Sequence, residues 1–123
     1  MATNFVQDGK VIDYTAGGTI SSGDVVVMGA AGNVTVGIAM NDAVSGDVIP
    51  VAIEGVFTIA KLSTGVIAQG ETVMWDASGS NVDDNAATPA SGDVLGFGIA
   101  TAAAGNGTTT VNVKLLPGNG AIT

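Results

Sequence analysis

Hydrophobic and polar positions alternate along residues 45–59 in the middle of the chain. The large apolar residues are Ile49, Val51 and Ile53, and smaller or polar residues stand between them. A period of two is typical of a strand with one face in the core. Because Gly55 interrupts the alternation, the pattern predicts one long bent strand or two strands separated by a glycine kink.

A turn signal opens this stretch and recurs along the chain. Each copy is a small or polar residue, glycine and an acid followed by strand residues, and the copies begin at Ser22, Ser45, Gln69 and Ser91. The side chain of a turn acid accepts hydrogen bonds from nearby backbone N–H groups. We therefore expect these acids to fix turns rather than to form a ligand set.

A second alternating stretch, residues 95–101, echoes residues 36–39. The echo supports an internal duplication with a spacing of roughly sixty residues. Glycine or alanine along one face of a strand lets another backbone approach closely. The candidates for such packing, between strands or between subunits, are Ala52, Gly96, Gly98 and Ala100.

The chain shows short strand patterns separated by glycine-rich turns and no convincing helix pattern. Such spacing predicts an all-β fold, a single small β-barrel or sandwich of short antiparallel strands. We expect residues 1–20 to form an N-terminal arm or first hairpin, and residues 21–123 to form the barrel or sandwich domain. Asp8-Gly9 is a hairpin signal. The alternative is an extended arm that adds a strand to a partner, with Phe5 and Tyr14 as anchors.

The most polar stretch is residues 76–93, predicted as a long exposed loop or as a loop with a short hairpin around Asn81-Val82. Its oxygen-bearing side chains are those of Asp76, Ser78, Ser80, Asp83 and Asp84. Because their spacing does not follow the EF-hand loop, we favour a solvated loop over a calcium site.

Charge and composition exclude several classes of function. Eleven acids against three lysines give a net charge of −8, and arginine and histidine are absent. This balance argues against nucleic acid and anionic membranes as partners. Without histidine or cysteine the usual general base, zinc ligands and thiol nucleophile are missing, so we expect no enzymatic activity and no cofactor. The start of the chain is polar and predicts no signal peptide, hence synthesis in a cytosol.

Five aromatic residues and nineteen glycines leave little side-chain volume for the interior. We therefore expect some apolar surface to be buried between subunits, in a homo-oligomer or an assembled particle.

Two binding modules are alternatives. Lys61, followed by Gly70-Glu71, has the outline of a lipoyl or biotinyl carrier site, although the neighbours of Lys61 do not match those motifs. Trp75 alone is thin support for a carbohydrate-binding β-domain.

Four stretches, residues 4–9, 22–26, 51–57 and 70–76, occur in an order that resembles the small all-β capsid cement (head-decoration) proteins of tailed bacteriophages. The resemblance covers nearly the whole chain. It implies an accessory virion protein, made in the host cytoplasm, on the outer surface of the mature head. There it would bridge neighbouring major-capsid subunits, commonly as a homotrimer. That family has no catalytic residues to carry over.

We therefore expect a structural virion protein whose important residues form surfaces. The residues predicted to contact the shell are Phe5, Val6, Val11, Ile12 and Tyr14.

Overall fold

The computed structural model describes residues 3–4 and 6–123, and its regular elements are ten β-strands. They are β1 (Val11–Thr15), β2 (Val25–Met28), β3 (Asn33–Ala39), β4 (Val48–Ala52), β5 (Val56–Ala60), β6 (Thr72–Asp76), β7 (Asn81–Asp84), β8 (Val94–Ala100), β9 (Thr110–Leu115) and β10 (Gly120–Ile122). The described residues contain no helix, so the all-β prediction is confirmed. It follows that none of the described elements is a helix able to cross a membrane.

The strands form one curled antiparallel sheet with the shape of a half-barrel. Its main strand order is β1-β4-β3-β10-β8-β6-β7. In addition, β2 pairs with β3, and β9 pairs with both β8 and β5. The alternating stretch at residues 45–59 becomes two strands, β4 and β5. Gly55 between them has a φ of 114°, which glycine adopts without strain. The alternative of two strands separated at a glycine is thus the one observed.

The sheet is built from two related repeats, β1–β4 and β5–β9. In each repeat the first strand pairs with the last, β1 with β4 and β5 with β9. In each repeat a glycine also lies against a valine of the last strand. A Cβ added at Gly37 would lie 2.5 Å from Cγ1 of Val51, and a Cβ added at Gly98 would lie 2.5 Å from Cγ1 of Val113. The internal duplication predicted from the sequence is therefore visible in the structure, and β10 joins the repeats by pairing with both β3 and β8.

The interior consists of two clusters of small and medium apolar side chains. The larger cluster draws on both repeats and includes Phe97, Trp75 and Leu115. The smaller cluster belongs to the first repeat alone and is formed by Ala16, Val26, Ala39, Ala43, Ile49 and Val51, with Tyr14, Ile20, Met28 and Ile53 packed on it. The small core expected from the composition is thus divided into two clusters, and the smaller cluster lies within the first repeat.

All four acids of the recurring turn accept a backbone N–H from the residue three positions earlier. The acids are Asp24, Asp47, Glu71 and Asp93. The prediction that they fix turns is confirmed.

Candidate interaction surface

The N-terminal part of the predicted shell contact lies beside an open strand edge. Phe5 falls outside the described residues, whereas Val6 is 88% exposed. In the described part of the chain β1 pairs with β4 along its whole length and with no other strand. Val11 at the start of β1 is also exposed. Exposed valines beside an unpaired strand edge are a geometry suited to strand addition with a partner.

The other two predicted contact residues are only partly accessible. Ile12 and Tyr14 are half-buried, and Tyr14 packs on the smaller apolar cluster. A substitution at Tyr14 therefore alters the core as well as the surface, which makes Val6 and Val11 the better positions for a binding test.

The four residues predicted to allow close packing lie at different depths. Gly98 faces the neighbouring strand so closely that an added Cβ would lie 2.6 Å from the carbonyl oxygen of Lys114. Ala52 and Ala100 are buried. Gly96 has a φ of 69° and lies near the carbonyl oxygen of Asn119, so glycine is favoured there by its backbone conformation.

The polar stretch at residues 76–93 contains the short hairpin considered above, because β7 pairs with β6. The turn between these strands is organised by Asp76, whose carboxylate accepts hydrogen bonds from the backbone N–H of Gly79 and from Ser78. These hydrogen bonds hold the pKa of Asp76 below its usual value, the bond from Gly79 being the largest cause. No group of three or more acids in the described residues could hold a metal ion.

Lys61 and Trp75, on which the carrier and carbohydrate-binding hypotheses depend, are both buried. Lys61 is 4% exposed, and its Nζ donates to the carbonyl oxygens of Leu62 at 2.7 Å and Thr108 at 3.2 Å. A carrier lysine has to be presented to solvent, so this geometry gives the carrier hypothesis no support. Trp75 is 9% exposed and belongs to the larger cluster, where it offers no platform for a sugar ring.

Accessible positive charge is concentrated at the junction of the two repeats. Lys10 and Lys114 are exposed and line one groove there, together with Glu54, Leu116 and Pro117. Since Lys61 is buried, these two lysines carry the accessible cationic side chains of an acidic chain. The surface away from this groove is therefore acidic or neutral.

A second opening was not found from the sequence. It is a cavity of about 300 Å³ in the first repeat, between the end of β1 and β2, and it is lined by Tyr14, Gly17, Gly18, Thr19, Ile20, Asp24, Val25, Val26 and Val27. The sequence did contain a signal for it. The connection between β2 and β3 is short, whereas the corresponding connection between β6 and β8 is long enough to hold an extra strand.

The comparisons with known proteins give one result. The model of a family described as phage cement protein matches residues 6–115, which includes β1 to β9. No curated protein and no solved structure matches the chain.

Proposed function

Because the chain belongs to the phage cement protein family, we propose that it binds the outer surface of the mature phage head and joins neighbouring major-capsid subunits. Its role is structural rather than enzymatic. The match over residues 6–115 is the observation that carries this proposal, since it spans both repeats and not merely one shared turn. The chain would be made in the host cytoplasm and would join the shell from outside.

The acidic surface supports a position on the outer face of the shell. A net charge of −8 opposes contact with packaged DNA, because binding to phosphates requires clustered Lys or Arg. Neither nucleic acid nor membrane is part of the proposed assembly. The partners are the major capsid protein and other copies of this chain, and we propose a homotrimer on the shell. Repeated weak contacts on one lattice then add up to strong attachment.

The surface proposed to contact the shell is the N-terminal segment together with the start of β1. Val6 and Val11 contribute exposed apolar side chains, and the unpaired edge of β1 contributes backbone hydrogen-bonding groups. Phe5, Ile12 and Tyr14 complete the predicted set. An extended segment that pairs with a strand of the shell would gain main-chain hydrogen bonds and bury these side chains.

Co-sedimentation with purified phage heads tests the proposal. The protein is mixed with expanded heads stripped of accessory proteins and, separately, with unexpanded precursor shells. We expect saturable binding to expanded heads only. Val6→Asp should weaken that binding, because a charge would be buried at the contact.

A matched control is available for this variant. Val66→Asp changes a valine that is also exposed, at 61%, but lies in the second repeat away from β1. This control should bind as the wild type does. Absence of wild-type binding to expanded heads would refute the proposed function, whereas equal binding of the Val6 and Val66 variants would refute only the contact surface.

A further inference from the structure

The second repeat is closed by a strand that the first repeat lacks. Pairing runs from β5 through β9, β8 and β6 to β7, and β7 returns to the end of β5 through a parallel bridge between Lys61 and Val82. The backbone N–H of Leu62 also donates to the carbonyl oxygen of Val82 at 2.9 Å. Val82 is fully buried in the larger cluster. β7 thus fills the space between the first and second strands of its repeat.

The matching space in the first repeat is open. β2 pairs with β3 and, in the described part of the chain, with no other strand. At Gly65, next to β7, an added Cβ would lie 3.0 Å from Oδ1 of Asp83, whereas at Gly17 and Gly18 it would meet nothing within 4 Å. The cavity of about 300 Å³ between the end of β1 and β2 is this space.

We propose that this gap accepts an extended strand of the major capsid protein, running antiparallel to β2 as β7 runs antiparallel to β6. This inference rests on the proposed function, which makes the shell the partner. The accepted segment has the four-residue length of β7 and one β-branched apolar side chain that points inward, as Val82 does. Each chain would then give its N-terminal segment to one capsid subunit and accept a strand from another.

The edge of β2 is chemically suited to this role. Its sequence, Val-Val-Val-Met, carries no charge, and uncharged, unpaired edge strands readily add a further strand. Main-chain hydrogen bonds would provide affinity, and the apolar members of the mixed polar and apolar lining would contact the inward side chain. Tyr14 and Ile20, which are only half-buried in the free chain, line the same gap and would gain cover from the added strand.

Charge favours a capsid strand over β7 of a second copy. Asp24 is the charged residue of the gap lining, and the whole chain is acidic. The exposed lysines Lys10 and Lys114 lie in the other groove. A neutral or basic segment is therefore preferred, whereas β7 of a second copy would bring the acids Asp83 and Asp84.

A blocking substitution with a matched control tests the inference. Gly18→Phe adds a ring at a glycine that lines the open gap, and Gly105→Phe adds the same ring at a glycine that does not line it. An added Cβ meets nothing within 4 Å at either position. Both variants should keep the thermal midpoint of the wild type. On expanded heads, Gly18→Phe should lose at least about tenfold in affinity, the loss expected when an added strand can no longer pair, and Gly105→Phe should lose none.

Hydrogen exchange on the wild type provides a second measurement that does not depend on any variant. The amides of Val25–Met28 that point away from β3 should gain protection when the protein binds expanded heads. If Gly18→Phe fails to fold, hydrogen exchange alone tests whether a strand is added at β2. Unchanged exchange in β2 on binding expanded heads overturns the inference.

The remaining outcomes separate the two proposals. If the wild type binds heads and the folded Gly18 variant binds equally well, the gap is not used, although the cement function stands. If the wild type does not bind heads, both proposals fail. If Gly18→Phe instead abolishes self-association in sedimentation without heads, the occupant is a second copy, and the assignment to the capsid protein is wrong.

Discussion

The close contact at Gly98 leads to a quantitative prediction for Gly98→Ala. The added methyl group would lie 2.5 Å from Cγ1 of Val113 and 2.6 Å from the carbonyl oxygen of Lys114, where ordinary van der Waals contact requires 3.4–4 Å. The valine can rotate, but the carbonyl belongs to the backbone of β9, which pairs with β8 at this point. The two strands must therefore separate locally, and their hydrogen bonds must lengthen.

The expected cost is that of overpacking a filled site, about 1–3 kcal/mol. It is partly offset because alanine lowers the conformational entropy of the unfolded chain, a gain of about 0.4–1 kcal/mol. We therefore expect a net loss of roughly 1–2 kcal/mol in the free energy of unfolding. For a domain of this size the thermal midpoint should fall by about 3–6 °C per kcal/mol.

Urea unfolding followed by circular dichroism measures this loss, with Gly105→Ala as the control. Because an added Cβ at Gly105 meets nothing within 4 Å, that variant should be as stable as the wild type or slightly more so. Gly37→Ala should behave like Gly98→Ala, since Gly37 occupies the corresponding position of the first repeat. If Gly98→Ala proves as stable as Gly105→Ala, the argument from close strand packing is refuted.

Three further predictions concern polar side chains that hold the fold. Lys61→Met should lower the free energy of unfolding by about 1–3 kcal/mol in urea titrations, because two carbonyl oxygens lose their donor. An unchanged value would refute a stabilising role for these two hydrogen bonds. Asp93→Ala should lower the free energy of unfolding by about 1–3 kcal/mol in the same assay, because Asp93 is buried and accepts two backbone N–H groups. This loss should exceed that of Asp24→Ala, and equal losses would refute the ranking. The pKa of Asp76 is lower in the folded state than its ordinary value of 3.8, so its stabilising contribution is present above that pH and is lost as the pH falls through the lowered pKa. Asp76→Asn should therefore lose less stability than the wild type between pH 5 and pH 2, as measured by thermal unfolding across that interval; parallel curves would show that Asp76 does not contribute.

Local sequence patterns determined the strands and turns because their causes are local. The alternation around Ile49 and Val51 produces β4, and both side chains are buried as a period of two requires. The acid of each recurring turn accepts a hydrogen bond only three residues away, so its role follows from sequence spacing alone. The duplication was also readable, since Gly37 and Gly98 occupy matching places in two similar strands.

Long-range contacts decided what these local patterns could not. Lys61 resembled an accessible carrier lysine, and only the packing of β5 against β7 and residues 108–109 shows that it is buried. The long connection between β6 and β8 signals an extra strand in the second repeat, but the sequence could not show where that strand lies. The matching gap lies between β1 and β2, which are joined through β4 and β3 rather than paired with each other. Pattern and propensity act over a few residues, whereas the presence of a vacant strand position depends on how distant segments come together. The sequence by itself therefore determined the class of fold and the turns, and the tertiary structure determined which edges and cavities are available to a partner.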